Sequence, residues 1–451
     1  MIAVLLAALV WAAPPAPTLA EVLASVDAHL PLLAAAEAKV RAAEAEQLGS
    51  AGIFDPAMEV SAGVRQGPYD GFSLDAQIRQ ATPLYGLRLE AGYRLGTGRF
   101  PVYDGKLDTL DQGEVGGALV LPLLKDGLTD PARTALAVAR AEVEGAEADL
   151  AAKRLDLRRK ARHAWWGWLA ASEKRAVADD MLRVALAAEE AVTARIARGD
   201  AAAIEAVDAL RVVRERQASL AQAVRDQEVS ALVLGLYLRD GSGRPAAPVA
   251  AADGLPRPTE PGLEDAADAL DRALRQRPEL RGLEARLAAA EAHLRLAKVG
   301  VLPKLDLGVG LYQDLAAPGE NAEPLDVRAG GKLAFTFLQR PGRGKLGSAR
   351  AKVEGVEAER TWLRDTLAAE VGSARASVQA AHARALLAEE VAALAAQLEE
   401  ATVRRLELGD ADRFALYLRE QSTLKARLDA IDAWTAFHRA QADLRAATGE
   451  P

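Results

Sequence analysis

The chain has 451 residues, of which 50% are hydrophobic but only 4% aromatic, and it contains no cysteine. A hydrophobic but aromatic-poor composition is typical of long, closely packed helices and does not suit a thick globular core. The absence of cysteine excludes a disulfide framework, a cysteine zinc site and a thiol nucleophile. The net charge is −8, from 56 basic and 64 acidic residues, and this mixed balance argues against a dedicated nucleic-acid binder.

Residues 1–16 are predicted to be a signal peptide. An unbroken apolar run, 2–11, is followed by AAPPAP, whose small residues suit cleavage. The run fits the core of a signal peptide better than a transmembrane span. The alternative is a buried N-terminal helix, although the prolines would break such a helix at once. Export is therefore the preferred interpretation.

The chain contains two copies of one plan, related by gap-free offsets of 247 and 210 residues. Each copy is predicted to run helix, extended segment, long helix, Gly-Asp break and helix. The first repeat covers 17–240 and the second 262–451, with strands at about 57–121 and 303–338 and a Pro- and Gly-rich linker at 241–261. The matched positions are Pro31 with Pro278, Pro56 with Pro303, Gly199 with Gly409 and Asp200 with Asp410.

The long helical segments carry a seven-residue apolar spacing. Such spacing predicts a narrow apolar seam of the kind found in coiled coils. No proline interrupts 132–198, so we predict a single helix of roughly 100 Å at about 1.5 Å per residue. A rod of that length spans a distance. The seam residues are Leu136, Val143, Leu150 and Leu157 in the first repeat, and Leu387, Val391, Leu394 and Leu398 in the second.

The extended segments alternate apolar with polar or small residues, as in 58–64, 87–93 and 305–311. A period of two predicts strands with one apolar face and one polar face. Ten of the 14 Phe and Tyr residues lie within 52–121 and 302–338. This concentration suits a membrane β-barrel, where aromatic rings gather at the two interfaces. The alternative is a small soluble sandwich attached to helices, and the strands alone leave both open.

Taken together, these features resemble the outer-membrane efflux protein family, to which TolC belongs. The resemblance rests on the export signal, the opening TLAEVLASVDAHLPLL, the duplicated plan, the Gly-Asp breaks and LVLPLLKDG at 119–127. It implies a mainly α fold with β, in which long helical hairpins form a coiled-coil tunnel. It also implies a membrane β-barrel portion completed by trimerisation, which would close strand edges that lipid cannot hydrogen-bond.

The resemblance implies an outer-membrane channel that serves as the exit duct of a tripartite efflux or type I secretion system. Substrate would pass passively from an inner-membrane pump, through a periplasmic adaptor (a membrane fusion protein), to the exterior. The helical portion would lie in the periplasm, and the partners would be two further copies and the lipid of the outer membrane. The alternative is a secreted or periplasmic coiled-coil scaffold with no transport role.

The resemblance also assigns a docking role to the Gly-Asp breaks. Each break would be the periplasmic tip of a helical hairpin, where family members meet the adaptor's helical hairpin. The alternative is a turn with no further role. The docking residues carried over are Arg198, Gly199, Asp200 and Ala201 in the first repeat, and Leu408, Gly409, Asp410 and Ala411 in the second.

The family further implies a constriction beyond each tip, with acidic residues six and nine positions after the tip glycine. The first repeat matches this pattern, but the second has Ala415 and Leu418 there, so the acidic pair is absent. Threefold repetition would turn each acid into a ring that favours cations. The alternative is that these acids only face solvent. The candidate gate residues are Glu205 and Asp208, with Asp412 and Arg413 as the nearest charges in the second repeat.

No enzyme, metal or cofactor site is expected. The five histidines are scattered, without HExxH or paired spacing, and no phosphate-binding loop ends in Gly-Lys-Ser/Thr. The cluster Trp165, Trp166 and Trp168 is interpreted as packing between helices rather than as a ligand platform.

Overall fold

The computed structural model describes residues 17–101, 108–248, 254–316 and 324–450, so the predicted signal peptide lies outside the described residues. The element order is the same in both halves, with four strands in the first and two in the second. The first half contains α1 (Leu19–His29), α2 (Pro31–Ala51), β1 (Ala57–Arg65), β2 (Gly71–Ala81), β3 (Arg88–Gly98), β4 (Glu114–Pro122), α3 (Pro131–Ala197) and α4 (Ala203–Gly235). The second contains α5 (Ala266–Gln276), α6 (Pro278–Val299), β5 (Lys304–Asp314), β6 (Asp326–Ala334), α7 (Arg340–Glu407) and α8 (Arg413–Ala447).

The two longest helices confirm the rod predicted from the sequence. Helix α3 has 67 residues and α7 has 68, which corresponds to roughly 100 Å each. Pro131 begins α3, where its fixed φ suits a first helical turn, and Asp130 accepts a hydrogen bond from the backbone N–H of Arg133 at 2.7 Å. The predicted helix thus starts and ends within a residue of the observed one.

The N-terminal helices meet at a sharp break. Thr18 and Glu21 form a capping box at the start of α1, and Leu30 is extended before Pro31 begins α2. Within the described residues, the stretch Leu19–Phe54 is long and apolar enough to cross a membrane by length and composition. A break and a new helix start within that stretch make it weak evidence for a span.

The chain forms two compact units, and each draws on both halves of the sequence. Of the described residues, those within 1–36, 150–278 and 364–451 form the helical unit, and those within 37–149 and 279–363 form the sheet unit. The predicted repeats divide the chain along its sequence, whereas these units divide it in space. The repeat and linker boundaries therefore stay a prediction.

The helical unit has an aromatic and aliphatic core. Trp165 and Trp168 are buried, with ring centroids 5.4 Å apart, and they pack with Val22 and Leu234. Trp166 stacks on His438 with ring centroids 4.4 Å apart. The tryptophan cluster therefore packs between helices, as predicted.

The described part of the linker lies against the helical unit. Leu255 is buried in its core, and the His438 imidazole Nε2 lies 2.8 Å from the carbonyl oxygen of Pro256. Just beyond the linker, Leu263 packs against the cluster that contains the buried Phe437. These contacts explain how a proline-rich segment keeps a fixed course over the helices.

The sheet unit is organised around one six-stranded antiparallel sheet with the order β1-β2-β3-β4-β5-β6. The two halves of the sequence meet where β4 pairs with β5, in a register that sets Glu114 opposite Asp314 and Pro122 opposite Asp306. Strands β1 and β6 are the edges of the sheet. The first half of the chain contributes four strands and the second half two.

Candidate functional site

The register sorts the side chains of the sheet onto two faces, because residues paired across antiparallel strands point to the same side. The apolar face carries Met58, Val60, Val64, Phe72, Leu74, Ile78, Leu89, Leu95, Val115, Leu119, Leu307, Val309, Leu311, Val327 and Leu333. The polar face carries Glu59, Asp75, Arg79, Arg88, Glu90, Arg94, Glu114, Asp306, Asp314, Asp326, Arg328 and Lys332, with many glycines.

The apolar face is largely uncovered within the chain. Val60 is 56% exposed, Val309 52% and Leu333 68%. Water-soluble proteins rarely expose contiguous apolar areas of this kind, and such areas mark contacts with a membrane or another protein. Val60, Leu74, Leu89 and Leu307 lie on this face, and Phe335 directly follows β6.

A charged network crosses the polar face. The Glu114 carboxylate is buried and accepts hydrogen bonds from Arg94 at 3.1 Å and from Arg328 at 2.8 Å. Arg328 also donates to Asp326 at 2.6 Å. The network spans β3, β4 and β6. It therefore links strands of both halves at the end of the sheet where β4 begins and β5 ends.

The ring of Tyr312 lies against two glycines of the polar face, Gly116 and Gly310. We call this pair the glycine shelf. A Cβ at Gly116 would lie 2.1 Å from the ring Cδ1 of Tyr312, and one at Gly310 would lie 2.6 Å from Cε2. The Arg328 guanidinium lies over the same ring, 4.0 Å from its centroid, a favourable cation–π distance. Any larger residue on the shelf would lift the ring.

The connection from β4 to α3 contains the LVLPLLKDG segment and is fixed by one arginine. Arg133 Nη2 donates to the backbone oxygens of Asp126 at 2.7 Å and Gly127 at 2.9 Å. Gly86, at φ +68°, packs against the same backbone, and a Cβ there would lie 2.5 Å from the Asp126 oxygen. The sequence segment therefore marks a tightly held strand-to-helix joint.

The first Gly-Asp break is a helix C-terminal turn with a left-handed glycine. Gly199 has φ +80°, its N–H donates to Ile196 at 3.0 Å, and the Asp200 N–H donates to the Arg195 carbonyl at 2.9 Å. This pair of hydrogen bonds is a Schellman motif. The side chain of Arg195 in turn donates to the backbone oxygen of Asp200 at 3.2 Å.

The second Gly-Asp break repeats the same geometry 210 residues later. Gly409 has φ +79°, the Asp410 N–H donates to the Arg405 carbonyl at 2.8 Å, and Arg405 Nη2 donates to the Asp410 backbone oxygen at 3.0 Å. Arg195 and Arg405 are not among the residues predicted from the sequence, although the 210-residue offset superposes them. Among the predicted docking residues, Arg198, Gly199, Asp200, Leu408, Gly409 and Asp410 are exposed, and Ala201 and Ala411 are half-buried.

Two of the candidate gate residues cap helices. Glu205 accepts a hydrogen bond from the Ala202 N–H at 3.3 Å and lies 3.7 Å from Arg195. Asp412 caps α8 by accepting from the Ala415 N–H at 2.7 Å. In both turns a carboxylate therefore accepts a hydrogen bond from a backbone N–H at the start of the following helix, but the two acids occupy different positions.

Asp208 belongs to a network that joins α4 to α8. It accepts from Arg211 at 3.0 Å, and Arg211 also donates to Glu215 at 2.6 Å. The Tyr417 hydroxyl donates to the second oxygen of Glu215 at 2.9 Å, and the Arg211 guanidinium lies 5.1 Å from the Tyr417 ring centroid. Nothing in the sequence pattern indicated the roles of Arg211 and Tyr417.

Arg413 lies near a half-buried carboxyl group, that of Glu420, on its own helix. Burial and the neighbouring Glu399 raise the pKa of Glu420, whereas Arg216 and Arg413 oppose that rise. Arg216 is itself buried. The charges beyond the second turn are therefore partly screened from water by helices α4, α7 and α8.

No metal-binding group emerges from the part of the chain that the structure describes, since no three His, Asp or Glu side chains there are arranged to hold an ion.

An uncovered apolar face, a charged and glycine-rich reverse face and very long helices define the class of outer-membrane channels with helical extensions. A family model described as "Outer membrane efflux protein" matches residues 73–238 and 269–450. The chain belongs to this family. Its two matched stretches fall in the two halves, which confirms the internal tandem repeat. No curated protein matches the chain significantly.

Solved structures of outer-membrane channels share the fold. The outer-membrane channel OprN superposes with a TM-score of 0.71 at 18% identity, covering 96% of this chain and 90% of that chain. VceC from Vibrio cholerae gives 0.67 at 16% identity, covering 96% of each chain. MtrE from Neisseria gonorrhoeae, in its open state, gives 0.68 at 16%, covering 96% and 89%. The predicted TolC-like fold is confirmed, and the chain is an efflux-type channel of the outer membrane.

Proposed function

We propose that the chain is the exit duct of a tripartite efflux or type I secretion assembly. Three copies enclose one pore, through which substrate from an inner-membrane pump and a periplasmic adaptor passes passively to the exterior. The observation that carries the proposal is the two-faced sheet with open edges, since lipid supplies no hydrogen bonds to an unpaired strand.

Closure by further copies would pair β6 of one chain with β1 of the next. Three copies with six strands each give an 18-stranded barrel, a size that leaves an aqueous channel. The apolar face then meets hydrocarbon and the polar face lines the pore. Because glycine has no side chain, the glycines of the polar face leave more of the pore open.

The helical unit offers independent support for further copies. The predicted seam on α7 is uncovered in the single chain, with Leu387 63%, Val391 55%, Leu394 51% and Leu398 52% exposed. An apolar stripe at coiled-coil spacing is stable in water only when another helix covers it. Neighbouring copies in a helical tunnel supply that helix.

The Gly-Asp turns serve as the periplasmic tips that meet the adaptor. Their support is the shared geometry of the two turns, which presents exposed side chains such as Leu408, 83% exposed, at corresponding positions. Hydrophobic side chains at a loop tip favour a partner surface. The docking segments remain 198–201 and 408–411.

The closed gate is proposed at the helix ends beyond these tips. Glu205, Asp208, Asp412 and Arg413 supply the charges there, and the Arg211–Glu215–Tyr417 network holds α4 against α8. Threefold repetition turns these groups into charged rings. Opening the pore then requires the hydrogen bonds of the Arg211–Glu215–Tyr417 network to break.

Membrane fractionation with conductance recording tests the proposal. The chain expressed with its own leader should sediment with the outer membrane, run as a heat-resistant trimer and form ion-conducting pores in planar bilayers. Recovery of a soluble monomer without detergent would contradict the proposal and favour a coiled-coil scaffold.

A further inference from the structure

The sheet unit contains a cavity of about 920 Å³ beside the start of β5 and the end of β6. One wall is a face of α6, through His293, Leu296 and Ala297, and another is a face of α7, through Lys345, Ser348 and Lys352. Residues spaced by three or four positions share one side of a helix. The cavity therefore lies between two helix faces that turn toward each other.

The cavity is strongly cationic. Lys125, Lys304, Lys345 and Lys352 line it, and Asp126 is the one carboxylate among its lining residues. Lys304 pairs with Asp306 at 3.4 Å, whereas the ammonium groups of the other three have no carboxylate partner among the residues that the structure describes. Three unneutralised lysines around one cavity attract an anionic group.

The same cavity has an apolar side that continues onto the apolar face of the sheet. Leu296, Val299, Leu302 and Phe335 line it. Leu302 is 41% and Phe335 49% exposed, and Phe335 follows Leu333 of the apolar face by two residues. A ligand bound by the lysines can therefore extend apolar chains along the surface of the sheet.

We propose that this cavity binds the headgroup of an anionic phospholipid, whose phosphate meets Lys345, Lys352 and Lys125 while its acyl chains lie along the apolar face. This inference rests on the proposed seating of the sheet in lipid. The excess of lysine over carboxylate favours an anionic lipid over a zwitterionic one, and basic pockets beside membrane segments suit such headgroups. A soluble phosphate compound would leave the apolar side unused.

The test uses the purified full chain in detergent and follows retention of phosphatidylglycerol by native mass spectrometry. The variant is Lys345→Gln combined with Lys352→Gln, two exposed positions on α7. The control is Lys298→Gln combined with Lys39→Gln, which removes the same charge from exposed positions outside the lining. Lys345→Arg combined with Lys352→Arg checks that charge, rather than local structure, is responsible.

The parent, the control and the arginine variant should bind phosphatidylglycerol alike, and the glutamine variant should bind about 25-fold more weakly, at roughly fivefold per lysine. Phosphatidylcholine with the same chains and glycerol phosphate without chains should both bind poorly. Equal binding by the glutamine variant and the control, or equal binding of both lipids, overturns the proposal. Strong binding of glycerol phosphate would assign the cavity to soluble phosphates instead.

Conductance of the same preparations separates the two proposals. A variant that still forms pores while losing the lipid supports the lipid site within the proposed channel. A parent chain that conducts but retains no phosphatidylglycerol rejects the lipid site alone. A chain that neither inserts nor conducts rejects the proposed channel.

Discussion

The helical unit buries a core of large apolar side chains, whereas the sheet leaves a whole apolar face uncovered. The helical unit has a buried core of large apolar residues, in which Trp168 is 1% exposed and Phe437 0%, while its α7 seam is uncovered. In the sheet unit, Val309 and Leu333 are more than half exposed. The first arrangement is the one that water imposes on a protein, and the second is its inverse.

The charged residues show the same contrast. In the sheet unit Glu114 and Asp306 are buried and paired with arginine, with Arg88 contacting Asp306 at 3.1 Å. In the helical unit, ion pairs such as Lys174–Asp432, at 2.6 Å, are more exposed. The two units of one chain are therefore suited to different surroundings, as the proposed channel requires: water for the helical unit and hydrocarbon for the apolar face of the sheet.

The largest effect is expected from removing a core side chain of the helical unit. Trp168→Ala should destabilise that unit by about 3–5 kcal/mol, because it deletes a fully buried indole. Trp362→Ala is the matched control, since Trp362 is 73% exposed and its loss should cost about 0.5 kcal/mol or less. Denaturant unfolding followed by circular dichroism measures both. Equal losses would mean that Trp168 is not a core residue.

The next effect distinguishes the two faces of the sheet. Val309→Arg places a charge on the apolar face and should cost about 2–4 kcal/mol in a bilayer, lowering recovery in the outer membrane. Gly308→Arg places the same charge on the polar face, where the nearest atom to an added Cβ is 3.9 Å away. The Gly308→Arg variant should therefore insert into the membrane normally. A sheet surrounded by water would tolerate both.

A smaller effect is expected at the glycine shelf. Gly116→Ala should destabilise the sheet by about 1–3 kcal/mol, because the new methyl group overlaps the ring of Tyr312. Adding Tyr312→Ala should recover part of that loss, whereas Gly117→Ala, where an added Cβ meets only Glu90 at 3.5 Å, should cost less. Thermal dissociation of the oligomer on gels provides the readout. Additive losses would show that the shelf and the ring are independent.

The smallest effect concerns pH and belongs to the helical unit. Burial lowers the pKa of His438 from its ordinary value of 6.5, against the opposing contacts with Pro256 and Gln441. The folded state then binds fewer protons than the unfolded state, so stability is complete above pH 6.5 and falls as the pH drops below it. His438→Gln should flatten the melting temperature between pH 7.5 and 5.5. If the melting temperature of the variant depends on pH as that of the parent does, groups other than His438 are responsible for the pH dependence.

Much of the fold could be predicted from the sequence because its periodicities are long and regular. The span of α3 and the strand windows follow from seven-residue spacing, alternation and proline positions, whereas the number of strands in each window does not. The register could not be predicted, since a shift of one residue preserves the alternation along each strand. The glycine shelf under Tyr312 depends on that register.

The predicted site residues divide in a similar way. Gly199 and Gly409 could be found because only a few residue types suit a left-handed turn. Asp412 was selected as a charge, but its carboxylate caps α8, a role that depends on where the helix starts. Arg211 and Tyr417 meet across about 200 residues of sequence, and a contact of that kind leaves no local pattern.

The most direct test uses the absence of cysteine from the native chain. Single variants Val309→Cys and Gly308→Cys place one thiol on each face of β5, at adjacent positions. In intact outer membranes, a water-soluble maleimide should label the thiol at position 308 rapidly and leave the one at position 309 unlabelled. Equal labelling of both thiols would contradict a sheet with one face in lipid and the other in a water-filled pore.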